Sequence, residues 1–275
     1  MLRLESDALT VSLSPQGAGL SGAMRDGRVF LGPQPCFPLV PLGNRVEDNS
    51  FALDGHEFRF QPNTAEPLYL HGDGWLAKWQ VISATTTSAR LTLDQTQPTA
   101  SPQIYHAEMA VVLEGAALSV SLSVTNHGAQ IMPFGLGLHP FFPRKTATRI
   151  TAPAQAYWSE GGGYLPHKRG PIPASADFNT PAPLPPHRLN NAYEGWSGQA
   201  RVDWPDARLR LDITADPIFA HLMVYAPEDD ASFFCLEPMT HLPNALALLG
   251  PRALHLLSPG ETLSGSITFR LSDME

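Results

Sequence analysis

The stretch Tyr105-His-Ala-Glu-Met-Ala-Val-Val-Leu113, then Glu114-Gly115-Ala116, then Ala117-Leu-Ser-Val-Ser-Leu-Ser-Val-Thr125 decides the fold class. Apolar residues recur at every second position on both sides of a short glycine-containing loop, the period of strands with one face buried. The spacing predicts a β-hairpin over residues 105–125. The same alternation runs through residues 8–14, 79–85 and 89–94, and further strands are expected at 200–204, 208–214, 221–225, 233–237 and 263–271. The closing run, 264–271, reads as an edge or back-sheet strand. Helical periodicity is confined to a turn or two near residues 244–249. With 27 prolines and 22 glycines among these short strands, the chain reads as all-β, a sandwich or barrel rather than an α/β fold.

No shift in composition divides the 275 residues, so residues 1–275 read as a single domain large enough to bury a sizeable core. Residues 166–186 are proline-rich and read as a long surface excursion, either linker-like or part of a cleft rim. A net charge of −8, with only 18 scattered basic residues, argues against nucleic acid or an anionic membrane as partner. The first residues lack the apolar core of a signal peptide and no window could span a bilayer, so the expected location is cytoplasmic. Cys36 and Cys235 lie far apart in hydrophobic contexts and read as buried free thiols.

Three separated segments carry the chemistry: Leu70-His71-Gly72-Asp73-Gly74-Trp75, Gly137-Leu138-His139-Pro140-Phe141-Phe142, and Leu236-Glu237-Pro238 with Pro243-Asn244-Ala245 after it. Each sets an imidazole or carboxylate among glycine, proline and, in the first two, aromatic residues. A carboxylate ending the apolar run Phe233-Phe-Cys-Leu236 is costly unless it is paired or used. Gly135 and Gly137 alternate as if one strand face must stay flat beneath something. Two histidines and a glutamate move protons near neutral pH without a cofactor. Arg45 is the candidate charged donor to a sugar hydroxyl, and Trp75 the candidate stacking face. GxSxG, HExxH and a complete GxGxxG are missing, and Gly161-Gly-Gly163 lacks the Lys-Ser/Thr of a phosphate loop. Spacing alone leaves open a zinc site built from two histidines and one glutamate, but no metal and no cofactor are expected.

Taken in order, Asn44-Arg45, His71-Gly72, His139-Pro140-Phe141-Phe142 and Glu237 followed by Pro243-Asn244-Ala245 resemble the aldose 1-epimerase (galactose mutarotase-like) family. The resemblance implies a large antiparallel β-sandwich with an open sugar-binding cleft, and interconversion of the α and β anomers of a free aldose. By the same resemblance, Glu237 matches the catalytic base and His139 the catalytic acid. His71 and Arg45 match substrate-binding positions, with His71 also helping at the ring oxygen. Asn190 stands where the family supplies an aspartate to sugar hydroxyls, which removes a charge-assisted bond. The expected partner is a small-molecule sugar and the expected assembly a monomer or homodimer. Ordinary side-chain pKa values, with mutual attraction, would let both Glu237 and His139 start charged. A hexose-phosphate 1-epimerase would instead need convergent cations, for which Arg144, Lys145, Lys168 and Arg169 are available. A non-catalytic sugar-binding or sensing domain also fits these residues, as does a hydrolase or lyase on the same scaffold, because a fold alone does not fix a reaction.

Overall fold

The computed structural model describes Met1–Glu275 and is built from two large antiparallel sheets packed face to face. The hairpin forms as the alternation requires, pairing Tyr105–Glu114 with Ala117–Asn126. Its loop is tighter than the sequence suggests: Glu114 pairs with Ala117, leaving Gly115-Ala116 as a two-residue turn with Gly115 at φ +54°. Tyr105, Ala107, Met109, Val111 and Leu113 all point into the core, as do Leu118, Val120, Leu122 and Val124 of the partner strand.

Thr262–Asp273 lies on the other side of Ala117–Asn126, and Leu209–Ala215 pairs with its far side. The closing strand is therefore interior to the nine-stranded back sheet, not at its edge. Alternation reports that one face is buried and cannot report how many neighbours a strand has. The outer face of this pair is tied by hydroxyl bonds, Ser119 to Thr268 at 3.0 Å and Ser121 to Ser266 at 2.8 Å.

The eleven-stranded front sheet carries the cleft. Its central strands run Val29–Leu39, Gly137–His139, Phe233–Met239, His221–Ala226, Leu189–Glu194 and Ala156–Glu160, with Phe141–Pro143 also pairing to Phe233–Met239. Every residue of Phe233–Met239 is buried. One face meets the back sheet, where Phe234 and Phe142 have ring centroids 5.6 Å apart and Phe142 lies 6.3 Å from Phe269. The other face forms the cleft floor. The buried apolar side chains make one continuous cluster through both sheets.

Residues 166–186 are more ordered than a surface excursion. Pro166–Gly170 adds an edge strand to Ala156–Glu160, and Ala182–Pro183 pairs with Arg149–Thr151 at the edge of the back sheet. Between them Phe178 is buried, and the Ala176 carbonyl accepts the Tyr193 hydroxyl at 2.7 Å. The segment staples one sheet edge to the other rather than forming the cleft rim. Cys36 and Cys235 are buried free thiols. No helix is long and apolar enough to cross a membrane.

Candidate active site

Strand register brings the acid–base pair together. Gly137 pairs with Met239 and Phe141 with Cys235, a register that sets His139 directly across from Glu237. His139 Nε2 lies 3.4 Å from Glu237 Oε1, and both side chains are buried at the cleft floor. The His139 ring is held between two aromatics, Phe37 at 4.6 Å and Phe141 at 4.7 Å, each stacked on it at an interplanar angle near 25°. His71 meets it edge-on, with centroids 4.9 Å apart. Glu237 Oε2, His139 Nδ1 and His71 Nδ1 are buried without a hydrogen-bond partner in the protein. Buried polar atoms left open in this way are costly and point to a ligand that would satisfy them.

His71 reaches this position through an unusual loop. Its own φ is +61°, and its N–H donates to the Asn44 carbonyl at 2.9 Å. Gly72 follows at φ +79°, against the Val40 carbonyl, where any side chain would collide with backbone. Asp73 supports the loop from below, accepting the Tyr69 hydroxyl at 3.0 Å and the Ser101 hydroxyl.

Burial sets the electrostatics. It pushes Glu237 up to about 8, against the downward pull of the Arg45 cation, and His139 down to about 3. It also holds His71 well below the ordinary histidine range, helped by the charges of His139 and Arg45. The order expected from isolated side chains is thus inverted. Between about pH 3 and 8 the Glu237–His139 pair carries one titratable proton. Burial favours the neutral tautomer, with that proton on Glu237, and the 3.4 Å contact favours the carboxylate–imidazolium tautomer.

Above the pair opens a cleft of about 620 Å³, a size suited to a small polar ligand. Its walls include Arg45, Asn190, Glu66, Tyr164, Arg188 and Tyr225. Arg45 donates through Nε and Nη2 to Glu66 at 2.8 and 2.9 Å. Asn190 donates through Nδ2 to Glu160, which Arg188 also grips with both terminal nitrogens. A carboxylate therefore stands beside Asn190 after all, supplied by the neighbouring strand. Trp75 is not on the cleft wall; its ring stacks on Phe37 at 5.2 Å and its Nε1 donates to the Leu70 carbonyl.

Sequence proximity to His71 suggests Trp75, whereas the cleft's polar wall comes from residues that proximity does not reveal. Glu66 and Tyr225 carry no local signal. Arg188 and Asn190 have the two-residue spacing of a common strand face, and Tyr164 follows three glycines; these are the clues the chain offers. Of the cations available for a phosphate, Arg144 and Lys145 line a separate pocket and Arg169 pairs with Glu194 at 3.0 Å.

The flat strand face at Gly135 lies beneath a side chain rather than a ligand. A Cβ there would fall 2.1 Å from the His241 ring. His241 accepts the Gly43 N–H on Nε2 at 3.0 Å, and its Nδ1 donates to the Leu242 carbonyl at 2.8 Å. Asn244 clamps Glu47 twice, accepting its N–H and donating to its carboxylate. The Pro243-Asn244-Ala245 segment thus holds the loop bearing Asn44 and Arg45 from behind.

His71, His139 and Glu237 also present ligand atoms within 4.8 Å of one another, a donor set of the kind that holds zinc.

A family model for aldose 1-epimerase matches residues 1–270. The uncharacterized Escherichia coli K12 protein YphB is 37% identical, over 98% of this chain and 97% of that protein. A crystal structure from Escherichia coli K12, provisionally assigned as an aldose 1-epimerase, superposes with a TM-score of 0.94 at 35% identity, covering 99% of this chain and 98% of that one. The galactose 1-epimerase of Lactobacillus acidophilus shares the fold, with a TM-score of 0.81 at 15% identity over 99% of this chain and 94% of that one.

Proposed function

Because the chain belongs to the aldose 1-epimerase family, we propose that it interconverts the α and β anomers of a free aldose by acid–base opening and closure of the hemiacetal ring. The observation that carries this reading is the His139–Glu237 pair, facing each other at 3.4 Å with unpartnered atoms at the floor of an open cleft.

In the carboxylate–imidazolium tautomer, Glu237 takes the proton of the C1 hydroxyl while His139 gives one to the ring oxygen. The C1–O bond of the ring breaks as the C1 carbonyl forms. The pair is then left as neutral acid and neutral imidazole, the tautomer that burial favours. After rotation about the C1–C2 bond, His139 removes the proton from the chain hydroxyl as it attacks C1, and Glu237 returns one to the carbonyl oxygen. One cycle uses both tautomers of a single shared proton, so opposed preferences of burial and contact suit the reaction. Positioned acid and base each contribute roughly 10²–10⁴-fold. His71, half-buried and held uncharged at neutral pH, serves as a hydrogen-bond partner near the ring oxygen.

Charge favours an uncharged sugar over a hexose phosphate. The cleft sets Arg45 and Arg188 against Glu66, Glu228 and Asp229, and each guanidinium already holds a carboxylate.

The test is polarimetry of freshly dissolved α-D-glucose and α-D-galactose at neutral pH with EDTA present. Acceleration that is lost in Glu237→Gln and His139→Asn is the expected result. Near wild-type rates in both folded variants would sink the assignment. Binding without turnover would favour a sensing domain.

A further inference from the structure

Tyr164 takes no part in the proton transfers, yet it is half exposed on the cleft wall, and three separate chain segments determine where its ring lies. Arg45 sits over the ring with Cζ 5.0 Å from its centroid, and Arg188 with Cζ at 4.9 Å. Neither guanidinium is free to wander, since Glu66 holds the first and Glu160 the second. The ring is thus positioned by cation–π contacts to two anchored cations rather than by its own loop.

That loop is Glu160-Gly161-Gly162-Gly163-Tyr164. A side chain at Gly162 would meet nothing within 4 Å and its φ is ordinary, so no steric demand explains glycine there. Gly163 and Tyr164 both adopt left-handed backbone, φ +67° and +62°. For a bulky residue such as tyrosine that conformation is unfavourable, and strain of this kind concentrates at binding sites. An exposed aromatic, held in strained backbone over a cleft whose lining is mostly polar, adds apolar surface to that of Leu70, Tyr225 and Pro227. A pyranose has the matching asymmetry: hydroxyls around its rim and a patch of C–H groups on a ring face.

We propose that Tyr164 is the sugar-stacking residue of this cleft, its ring covering the C–H face of a pyranose whose anomeric carbon lies at Glu237 and His139. The inference rests on the reading of the cleft as an aldose site. It assigns Tyr164 to affinity and leaves the rate of ring opening to the acid–base pair.

Two measurements separate its failure from that of the underlying reading. Polarimetric kinetics of wild type, Tyr164→Ala and Tyr164→Phe on D-glucose and D-galactose give KM and kcat. Saturation-transfer NMR with methyl β-D-glucopyranoside and methyl β-D-galactopyranoside, locked at C1, reads binding without turnover. The expected result is a KM raised about tenfold in Tyr164→Ala, the size of effect for one buried apolar face, with kcat within about threefold and Tyr164→Phe like wild type. Transfer from aromatic protons to the glycoside C–H protons should fall by more than half in the alanine variant. Because the side chain is half exposed, the variant should fold normally, which its thermal transition checks. An unchanged KM, or undiminished transfer, in Tyr164→Ala would overturn the stacking role and leave the mutarotase reading standing. Wild-type protein that binds the glycosides through Tyr164 but turns over neither sugar would overturn the mutarotase reading alone. If neither sugar nor glycoside bound, both would fall.

Discussion

Glu237 is the residue on which function and stability pull hardest against each other. Burial lifts its carboxyl to about 8, whereas in the unfolded chain it titrates near 4.5. A raised folded-state pKa means that the folded state holds the proton more tightly. The stability it contributes is therefore present below about pH 4.5 and is lost as pH climbs toward 8. Replacing Glu237 with glutamine removes that loss. Urea denaturation should show Glu237→Gln gaining on wild type by roughly 2–4 kcal/mol between about pH 4.5 and 8, while mutarotation falls by at least about 10³-fold. A constant stability difference across that range would mean that Glu237 is already ionised in the resting protein. The same proton governs the rate. Above about pH 8 the pair loses its only titratable proton and has no acid to give the ring oxygen, and below about pH 3 it gains a second and has no base. kcat/KM should be flat through neutrality and decline with a one-proton slope above about pH 8. His139→Asn should abolish the rate rather than shift that limb.

The supporting elements around the pair matter through backbone position. His241 and Asn244 are not hydrogen-bonded to the acid–base pair, yet they anchor the two ends of the Gly43–Glu47 stretch that carries Arg45 and supplies the carbonyl holding His71. His241→Ala would leave the buried Gly43 N–H without an acceptor, a loss of about 1–3 kcal/mol. Its kinetic signature should be a raised KM with a smaller fall in kcat, since Glu237 and His139 sit on strands that His241 does not hold. An equal fall in kcat and kcat/KM would argue that the loop acts in the transition state instead. Gly135→Ala should destabilise at least as much, because its Cβ would occupy the space of the His241 ring. These contacts mark a boundary of what can be read from the chain. The glycine alternation at 135 and 137 announces that something lies close against the backbone, and only the fold shows that it is the His241 ring at Gly135 and the Pro238 carbonyl with Leu39 and Met239 at Gly137. Pairs such as Arg45 with Glu66 and Arg188 with Glu160 are invisible for the same reason: long-range partners leave no local period.

At the scale of the whole molecule, what is legible follows from period-two alternation and from clustered glycine, proline and histidine. The hairpin at 105–125 and the buried run through Glu237 descend from those local patterns, whereas the pairing of His139 with Glu237 comes from strand register between distant segments and is legible only through the family resemblance. Whether a strand lies at an edge or in the interior, as with Thr262–Asp273, depends on sheet order, which alternation does not encode. Charge behaves differently, because it is a global property visible from composition and then sharpened by the fold. The chain carries a net charge of −8, and its cleft gathers Glu66, Glu228 and Asp229 around two guanidiniums that are already paired. A phosphate dianion would enter against the net field and find no unpaired cation in the cleft, whereas a neutral sugar meets no such repulsion. D-glucose should therefore be turned over with a kcat/KM at least about tenfold above that of glucose 6-phosphate at physiological ionic strength. Raising the salt should narrow the gap by screening the repulsion, with little effect on glucose itself. A preference for the phosphorylated sugar that weakens as salt is added would reverse the argument. It would mean that Arg45 and Arg188 leave Glu66 and Glu160 when an anion arrives, and that the cleft's resting ion pairs are a latch rather than a wall.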